Sequence, residues 1–535
     1  MGRHAAGHGF LRAAVAGRQG EPLWAFTPFK RSADIFACLV REMDPAAETR
    51  WIPAGRLNLL ASLGTLYLPV PGVGEAARLR LRAGADAFSI CGVTHTTATH
   101  AAMDAIVGLL AAPVMPWDAL ICTSQAVAAT VRVLIEKEAE YLRWHLGAPL
   151  SLTLPRLPVI PLGVHTADFV FTAGERATAR GDLGIGEDEV AALFLGRLSF
   201  HAKAHPYPMY LGLQRAAQQT QRKIALIQCG WFGNAPIEAA FRNGAARICP
   251  NVRALFTDGK DPNARRQSWA AADLFISLSD NIQETFGLSP IEAMAAGLPL
   301  VVTDWDGYRD TVRDEVEGFR IPTWMPRPGC GEDFARDYEA GSIDYDLYIG
   351  FACQTVSLDL RALTERLSAL VAQPELRRRL GEAGRRRAGD LFDWAAVYRR
   401  YQELWADLAA ERRAAQQNLE WRRVLQAAPR TAPARLDPFC IFAGYPTAPI
   451  ETTTLVALSP HADGKAYRAL REDALFAYAG RHLPPVGVAD AALRSLGAEP
   501  DTVGGLAARL GLDLGTTLRA VSILAKMGFV ELRAG

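Results

Sequence analysis

The sequence predicts an α/β fold made of two doubly wound domains, each built on a parallel sheet, and a small helical domain at the C terminus. Three observations support this prediction. A chain of 535 residues is too long for one hydrophobic core. Short apolar runs alternate with helical patterns twice along the chain, as they do in sheets covered by helices. A proline-marked linker then leads to a tail with two helical patterns that meet at a glycine.

The first alternation predicts a domain over residues 21–165. It is preceded by residues 1–20, which are rich in Gly, Ala and Arg and are expected to be disordered. Helical patterns separate the predicted strands of this domain, which are LWAFTPF, TRWIPAG, AFSICGVTH and DALICTS.

The second alternation predicts a domain over residues 166–428. Its predicted strands are rich in Val, Ile, Leu and Phe, as buried parallel strands are: EVAALFLGRL, KIALIQCG, VRALFTDG, DLFISLSD and PLVVTDW. Residues 358–425 form a nearly continuous helical pattern. Doubly wound sheets bind ligands at the carboxyl ends of their strands, so we expect a site there.

The rest of the chain is predicted to be a linker, residues 429–464, and a small module, residues 465–535. A helix, a turn at Gly511, a second helix and a short strand resemble a winged helix. From residue 431 onward, ten basic and ten acidic side chains balance, which disfavours DNA binding. We expect a protein contact or self-association here, and a DNA-binding regulator is the less favoured alternative.

Composition limits the classes of protein that the chain can be. A net charge of +1 gives no general attraction to nucleic acid or to an anionic membrane. The eight cysteines include no C-x-x-C pair, so neither a zinc site nor a redox motif is indicated. Arg, His and Gly interrupt the N terminus before any apolar stretch reaches the length of a signal peptide, and no run in the chain approaches the length of a membrane span. We therefore expect a cytoplasmic protein whose contact with a membrane is at most peripheral.

The segment 277–307, SLSDNIQETFGLSPIEAMAAGLPLVVTDWDG, carries the most specific pattern. A strand leads through a short loop into a helix that is predicted to begin with Ser289 as its N-cap and Pro290 in its first turn. Free N–H groups at a helix start bind phosphate, and Gly287 would let a ligand approach the backbone closely. Glu292 has an alternative, purely structural role as the partner of Ser289 in a capping box.

Glu284 has no comparable structural role, and carboxylates accept hydrogen bonds from sugar hydroxyls well. The stretch ETFGLSPIEAMAAGLPLVV resembles the E-x7-E segment of family 4 glycosyltransferases, whose GT-B fold has two facing Rossmann-like domains. The resemblance implies that Glu284 contacts the donor sugar, that Glu292 contacts the nucleotide ribose and that the backbone at Gly287 faces the diphosphate. The neighbouring donor-binding positions that it implies are Phe286, Leu288 and Ser289.

A second segment, FLGRLSFHAK at residues 194–203, resembles the family's motif at the end of the first strand of the second domain. The resemblance implies that Gly196 lies at the donor and that Arg197 and Lys203 hold the departing diphosphate. That role needs fixed positive charge. The alternative is that both are exposed basic residues of a loop.

Several further segments belong to the first domain and the hinge. His95, in FSICGVTHTT, follows a predicted strand and faces the interdomain cleft, where the family has a histidine near the reacting sugar. A structural histidine is the alternative. VIPLGVHTADF resembles the family's interdomain hinge, and DALICTS ends at Ser124. The family's N-terminal Gly-Gly loop is absent, and PGVG at residues 71–74 is a candidate substitute.

Two D-x-D patterns imitate the metal motif of the other major glycosyltransferase fold: Asp304-Trp305-Asp306 and Asp344-Tyr345-Asp346. Spacing supplies no third ligand, so neither is predicted to bind a metal. The resemblance implies retaining transfer from a nucleotide sugar to an unknown acceptor, with neither a cofactor nor a metal. A phosphorylase or hydrolase on the same fold is the alternative within enzymes, because a Rossmann pattern alone does not exclude it.

Overall fold

The computed structural model describes residues 2–147, 153–497 and 499–533. The chain forms two compact units, Met1–Ala432 and Pro433–Gly535. The first unit contains both predicted doubly wound domains, and the boundary between the units falls within the predicted linker.

The N-terminal half of the first unit contains two small parallel sheets. Its strands are β1 (Leu23–Phe26), β2 (Thr49–Ile52), β3 (Thr65–Leu68), β4 (Ser89–Val93) and β5 (Ala119–Ile121). Its helices are α1 (Gly2–Ala16), α2 (Lys30–Met43), α3 (Leu57–Leu63), α4 (Val73–Arg80), α5 (His100–Val107) and α6 (Gln125–Leu146). Strands β1 and β2 form one sheet, and β3, β4 and β5 form the other in that order.

Helix α1 corrects the prediction that residues 1–20 are disordered. The small residues that suggested disorder instead allow close packing. A Cβ atom at Gly9 would lie 2.4 Å from the indole nitrogen of Trp394. The Phe10 ring stacks on the Tyr67 ring with centroids 4.5 Å apart. The helix is therefore held by tertiary contacts, which local composition does not reveal.

The second half contains the predicted parallel sheet, which has the five predicted strands and a sixth, β11, in the order β11-β10-β9-β6-β7-β8. Its strands are β6 (Val190–Leu195), β7 (Ile224–Gly230), β8 (Val252–Asp258), β9 (Leu274–Ser277), β10 (Leu300–Thr303) and β11 (Gly318–Ile321). The helices between them are α7 (Ala173–Asp182), α8 (Pro206–Thr220), α9 (Ala235–Ile248), α10 (Pro262–Ala271), α11 (Leu288–Ala296) and α12 (Tyr308–Thr311). The strand order reverses between β6 and β9, so a crevice is expected at their carboxyl ends.

Side-chain alternation explains why this sheet has helices on both faces. Leu193 of β6 packs into one hydrophobic cluster, and its neighbours Ala192 and Phe194 pack into the other. Successive side chains of a strand point to opposite faces, so a continuous apolar run buries both. The sequence prediction of a doubly wound domain is confirmed.

The chain between the sheet and the second unit is mainly helical. It contains β12 (Thr323–Trp324), α13 (Glu332–Glu339), α14 (Tyr345–Gln354), β13 (Ser357–Leu358), α15 (Leu360–Ala372), α16 (Pro374–Arg387), α17 (Trp394–Gln417) and α18 (Leu419–Ala427). The structure differs from the predicted division at 166–428, because α17 packs on the N-terminal half. Tyr401 is buried against Cys91 and Ile121, and Arg412 donates a hydrogen bond to the Gly64 carbonyl.

The second unit is an antiparallel sheet with helices. Its strands are β14 (Leu455–Leu458), β15 (Asp501–Thr502) and β16 (Val530–Arg533), and its helices are α19 (Pro438–Ile441), α20 (Gly464–Glu472), α21 (Ala474–Ala477), α22 (Val486–Ser495), α23 (Val503–Leu510) and α24 (Leu514–Lys526). The predicted turn at Gly511 has a φ of 61° and ends α23. β14 lies inside the predicted linker, residues 429–464, so the folded unit begins earlier than predicted. Across the described part of the chain, no helix combines the length and apolarity needed to cross a bilayer.

Candidate active site

The candidate site lies in the crevice at the carboxyl ends of β6 and β9, where the strand order reverses. Lys203 comes from the loop after β6, and Glu284 comes from the loop after β9. Their side chains form an ion pair, with only 19% and 14% of their surfaces exposed. Burial alone would lower the pKa of the Lys203 ammonium, but the Glu284 carboxylate raises it above its ordinary value. Lys203 is therefore a permanent positive charge in the crevice.

Helix α11 begins beside this pair, but not where the sequence predicts. Its N-cap is Gly287, with a φ of 82°, and no side chain caps it. A Cβ atom there would lie 2.1 Å from a ring carbon of Tyr308, so only glycine fits. The predicted N-cap Ser289 lies buried inside the first turn, and the capping box with Glu292 does not form. The first N–H groups of α11 thus meet the crevice with no side-chain cap over them.

Glu292 lies on α11 and is half-buried. The alternative structural role, as the partner of Ser289 in a capping box, is not observed. Burial raises the pKa of the Glu292 carboxyl to about 7, although the charges of Arg265 and Lys203 lower it. Arg265, on α10, is a residue that the sequence analysis did not single out. The packing of α10 beside α11 brings the charge of Arg265 close enough to lower the pKa of Glu292.

The loop after β6 holds the other predicted diphosphate ligand. Arg197 is half-buried and donates a hydrogen bond of 2.9 Å to the Ala202 carbonyl, which folds the loop back on itself. Its charge acts on Lys203, so the two cations lie close together. Gly196 donates its N–H to the Cys229 carbonyl at 3.0 Å and continues the strand edge. Both basic residues are therefore fixed parts of the crevice rather than free loop side chains.

The side chains of two predicted donor-binding positions, Phe286 and Leu288, pack into the core. Phe286 is 1% exposed and packs against Phe392, with ring centroids 6.2 Å apart. Leu288 is partly buried against the same cluster. Their side chains anchor the loop from inside, so any contact with a ligand at these positions is made by the backbone.

His95 follows β4 and lies where the two halves of the first unit meet. Its Nε2 atom is 3.1 Å from the Pro69 carbonyl oxygen. Its own carbonyl accepts a hydrogen bond from the Thr285 hydroxyl, and Thr285 directly follows Glu284. The structure thus brings His95 to the loop of the E-x7-E segment.

Asp306 is a further crevice residue that the sequence analysis noted only as part of a D-x-D pattern. It has a φ of 43°, which is rare for a residue with a side chain. Its Oδ1 accepts a hydrogen bond of 3.3 Å from the Ser124 hydroxyl, and its Oδ2 is buried without a partner. Burial and the nearby charge of Glu284 raise the pKa of its carboxyl to about 8.

The D-x-D carboxylates have other partners. Asp304 lies 3.4 Å from a nitrogen of Arg320, and Asp344 caps helix α14 by accepting the Leu347 N–H at 2.9 Å. Among the residues that the structure describes, no group of three or more His, Cys, Asp or Glu side chains is arranged to hold a metal ion.

A bridge of aromatic residues also crosses between the two halves of the first unit. The Tyr338 ring of α13 stacks on the His100 ring at the start of α5, with centroids 3.7 Å apart. The Tyr345 hydroxyl donates a hydrogen bond of 3.2 Å to the Gln283 side chain, next to Glu284. The α13–α14 segment therefore contacts both the N-terminal half and the loop of the site.

Comparison with known proteins gives a family for the segment that forms this crevice. Residues 175–324 match the family model described as "Glycosyl transferases group 1". This range contains the loops of Lys203 and Glu284 and helix α11, so the charged residues of the crevice lie within the segment that resembles this family.

Curated relatives and solved structures match over parts of the chain. A D-inositol 3-phosphate glycosyltransferase of Segniliparus rotundus is 25% identical over 282 residues, covering 53% of each chain. An alpha-maltose-1-phosphate synthase of Mycobacterium tuberculosis is 24% identical over 257 residues, which cover 47% of this chain and 57% of the relative. The chain thus spans about half the length of the curated relatives it matches. HepE of Anabaena in complex with UDP is 16% identical, with a TM-score of 0.49, over 75% of this chain and 96% of that structure.

Proposed function

We propose that this chain is a retaining glycosyltransferase that moves a sugar from a nucleotide-sugar donor to the hydroxyl of an acceptor. The observation that carries the proposal is the Lys203–Glu284 pair beside the uncapped start of α11, in the crevice of the segment that resembles the glycosyl transferases group 1 family. The pair places a fixed cation and a carboxylate together, which suits a diphosphate joined to a sugar. The names of the curated relatives, which include glycosyltransferases and a synthase, support the same class of reaction.

The charged groups of the crevice can be matched to the diphosphate, the sugar and the ribose of such a donor. Arg197, Lys203 and the first N–H groups of α11 would bind the diphosphate, since cations and helix starts both attract phosphate. Glu284 would accept hydrogen bonds from hydroxyls of the sugar. Glu292, half-buried in α11 and without a role as a cap, would accept hydrogen bonds from the hydroxyls of the nucleotide ribose.

In the proposed reaction, the acceptor oxygen bonds to the anomeric carbon as the bond from that carbon to the diphosphate breaks. Negative charge develops on the departing diphosphate, which takes up the proton of the acceptor hydroxyl, and fixed positive groups stabilise that charge without giving up a proton themselves. Arg197 and Lys203 supply such groups. Retention of configuration is proposed because the E-x7-E segment resembles that of retaining enzymes. The positioning of the donor by Glu284 then matters because small displacements cost large factors in rate.

For the second unit we propose contact with a protein rather than with DNA. Helix α24 carries only Arg519 and Lys526 as basic residues, and a DNA-reading helix needs a cationic surface around it. A gel shift with mixed-sequence DNA in low and moderate salt tests this proposal on the full chain. Salt-sensitive binding at micromolar protein would contradict it.

Thermal unfolding with a panel of nucleoside-diphosphate sugars tests the main proposal, since a ligand that binds only the folded state raises the melting temperature. We expect one nucleotide class to raise it, and the free nucleoside diphosphate to appear when an acceptor is added. Glu284→Ala should abolish that release and keep the fold. Release of sugar phosphate from a glycan in place of a nucleotide product would favour a phosphorylase instead.

A further inference from the structure

A cavity of about 1330 Å³ lies in the N-terminal half of the first unit, outside the charged crevice. It lies between the two small parallel sheets. Strands β1 and β3 belong to different sheets, and both contribute to the wall. Helices α1, α2, α3 and α17 also contribute to it. The volume exceeds the range of about 300–1,000 Å³ that is usual for sites of small ligands.

The wall of this cavity is apolar and aromatic. Its aromatic residues include Trp24, Tyr67, Trp394 and Trp405. Among the described wall residues there is no Lys or Arg, and the ionisable ones other than tyrosines are His8, Glu21 and His95. A phosphorylated ligand needs cationic partners, so this wall does not suit one. Apolar cavities instead bind hydrocarbon groups and exclude water.

The cavity is long and reaches the candidate active site. It follows the whole of β3 from Thr65 to Leu68, which is about 10 Å at the usual rise per residue. His95, next to the loop of Glu284, forms part of the wall at the carboxyl ends of the strands. An elongated apolar cavity that ends at a polar crevice suits an amphipathic molecule with its polar end at the crevice.

The cavity also has an entrance. Leu39 of α2 and Leu63 of α3 both belong to its wall, and they are 38% and 41% exposed. An apolar side chain that is exposed at the mouth of a cavity gives a hydrophobic ligand a path from solvent or from a membrane surface.

We propose that this cavity binds the hydrocarbon chain of a lipid acceptor, with the acceptor hydroxyl held beside His95. The inference rests on the proposed function and adds the chemical class of the acceptor. The hydroxyl oxygen bonds to the anomeric carbon, the bond from that carbon to the diphosphate breaks, and the hydroxyl proton leaves on the departing nucleoside diphosphate. The apolar chain orients this hydroxyl and contributes the binding energy.

The test uses monoacylglycerols with an ω-bromo hexanoyl, octanoyl or decanoyl chain, below micelle-forming concentrations. Bromine quenches indole fluorescence at short range, so a chain in the cavity should quench Trp24, Trp394 and Trp405. Affinity should rise about fourfold for each added methylene, because each buried CH₂ adds a similar increment of hydrophobic free energy. 3-Bromo-1,2-propanediol, which carries bromine but no acyl chain, should not quench at the same concentrations, and affinity that does not change with chain length would overturn the proposal.

A matched pair of variants locates the binding. Leu39→Glu introduces a charge at the mouth and should weaken quenching at least tenfold. Ile35→Glu, one turn earlier on the same helix and more exposed, is outside the cavity wall and should leave quenching unchanged. Thermal melts of both variants verify the fold. Equal weakening in both variants would place the chain on the outer surface and would overturn the proposal.

The donor assay separates this inference from the proposed function. Donor-induced stabilisation with no quenching by any chain would overturn the lipid acceptor and leave the transferase proposal in place. Chain-length-dependent quenching without donor stabilisation would support the cavity as a chain site and contradict the transferase. Bromoacylglycerols are offered both in solution and in phosphatidylcholine vesicles, to distinguish a lipid taken from solution from one taken from a membrane. Glycosylation that is faster than with glycerol, in either preparation, supports the inference.

Discussion

Lys203 and Glu284 form an ion pair in the crevice although 81 positions separate them in the chain. The pair joins the loop after β6 to the loop after β9, which are the two strands at the point where the sheet order reverses. The Glu284 carboxylate raises the pKa of Lys203 and keeps it charged in a site that is mostly shielded from water. A donor with a diphosphate and a sugar brings a partner for each of them.

Lys203→Met should lower kcat by a factor of about 100 to 1,000, which is typical when one stabilising group for developing negative charge is lost. The matched control is Lys223→Met, whose lysine pairs with Asp188 at 2.8 Å but is largely exposed and distant from the crevice. Steady-state release of nucleoside diphosphate measures both variants. Equal losses in the two variants would remove Lys203 from the proposed mechanism.

Gly287→Ala should lower the free energy of unfolding by at least about 1–3 kcal/mol, since the residue has a positive φ and a Cβ atom would meet the Tyr308 ring. Gly181→Ala on α7 is the control, because a Cβ atom there meets no other atom within 4 Å. Replacing a helical glycine by alanine should stabilise by about 0.5–1 kcal/mol. Urea unfolding measures both. An unchanged midpoint for Gly287→Ala would mean that this turn relaxes freely.

Stability without ligand should fall as pH rises, because burial raises the pKa of three carboxyls, those of Asp280, Glu292 and Asp306. Glu292 has a pKa of about 7 and Asp306 has one of about 8, whereas both titrate near 4 when unfolded. A raised pKa means that the folded state binds more protons, so the stabilisation is complete below pH 4 and is lost as pH rises to about 8. Glu292→Gln should flatten the melting temperature up to about pH 7, and Asp306→Asn up to about pH 8. Profiles parallel to the wild type would contradict these assignments.

Tyr338→Ala should loosen the α13–α14 segment from the N-terminal half, because the stacking on His100 is lost. The measurement is limited proteolysis with and without the nucleotide donor. We expect faster cleavage within residues 325–356 in the variant and a raised KM for the donor, with kcat less affected. The control is Phe351→Ala on α14, because the Phe351 ring contacts Phe334 within the segment. This variant should keep the stacking of Tyr338 on His100 and the wild-type KM for the donor.

Chelation should leave the proposed transfer intact, because Arg197, Lys203 and the start of α11 already supply positive charge to the diphosphate. The check compares initial rates in EDTA with rates in added Mg²⁺ or Mn²⁺. A rate that is lost in EDTA and restored by one of these ions would show that a metal takes part, and Asp304 and Asp306 would be the first carboxylates to substitute.

Local pattern predicted much of the second half of the first unit. The apolar runs predicted the positions of strands β6 to β10. Successive side chains of β6 pack into two different clusters, which confirms a sheet covered on both faces. The start of α11 was predicted two residues late, because Ser289 satisfies the usual signature of an N-cap. The crowding of Gly287 against Tyr308 favours a glycine cap instead, and that contact joins elements distant in sequence.

The sequence by itself determined the doubly wound domain, the identity of the charged residues and the resemblance that they carry, because these depend on periodicity and on short motifs. Only the tertiary structure decided that α1 is a helix and that α17 packs on the N-terminal half. It alone brought Lys203 to Glu284 and left a cavity between β1 and β3. Such features depend on contacts between distant segments, and local propensity contains no information about which distant segment will supply the partner.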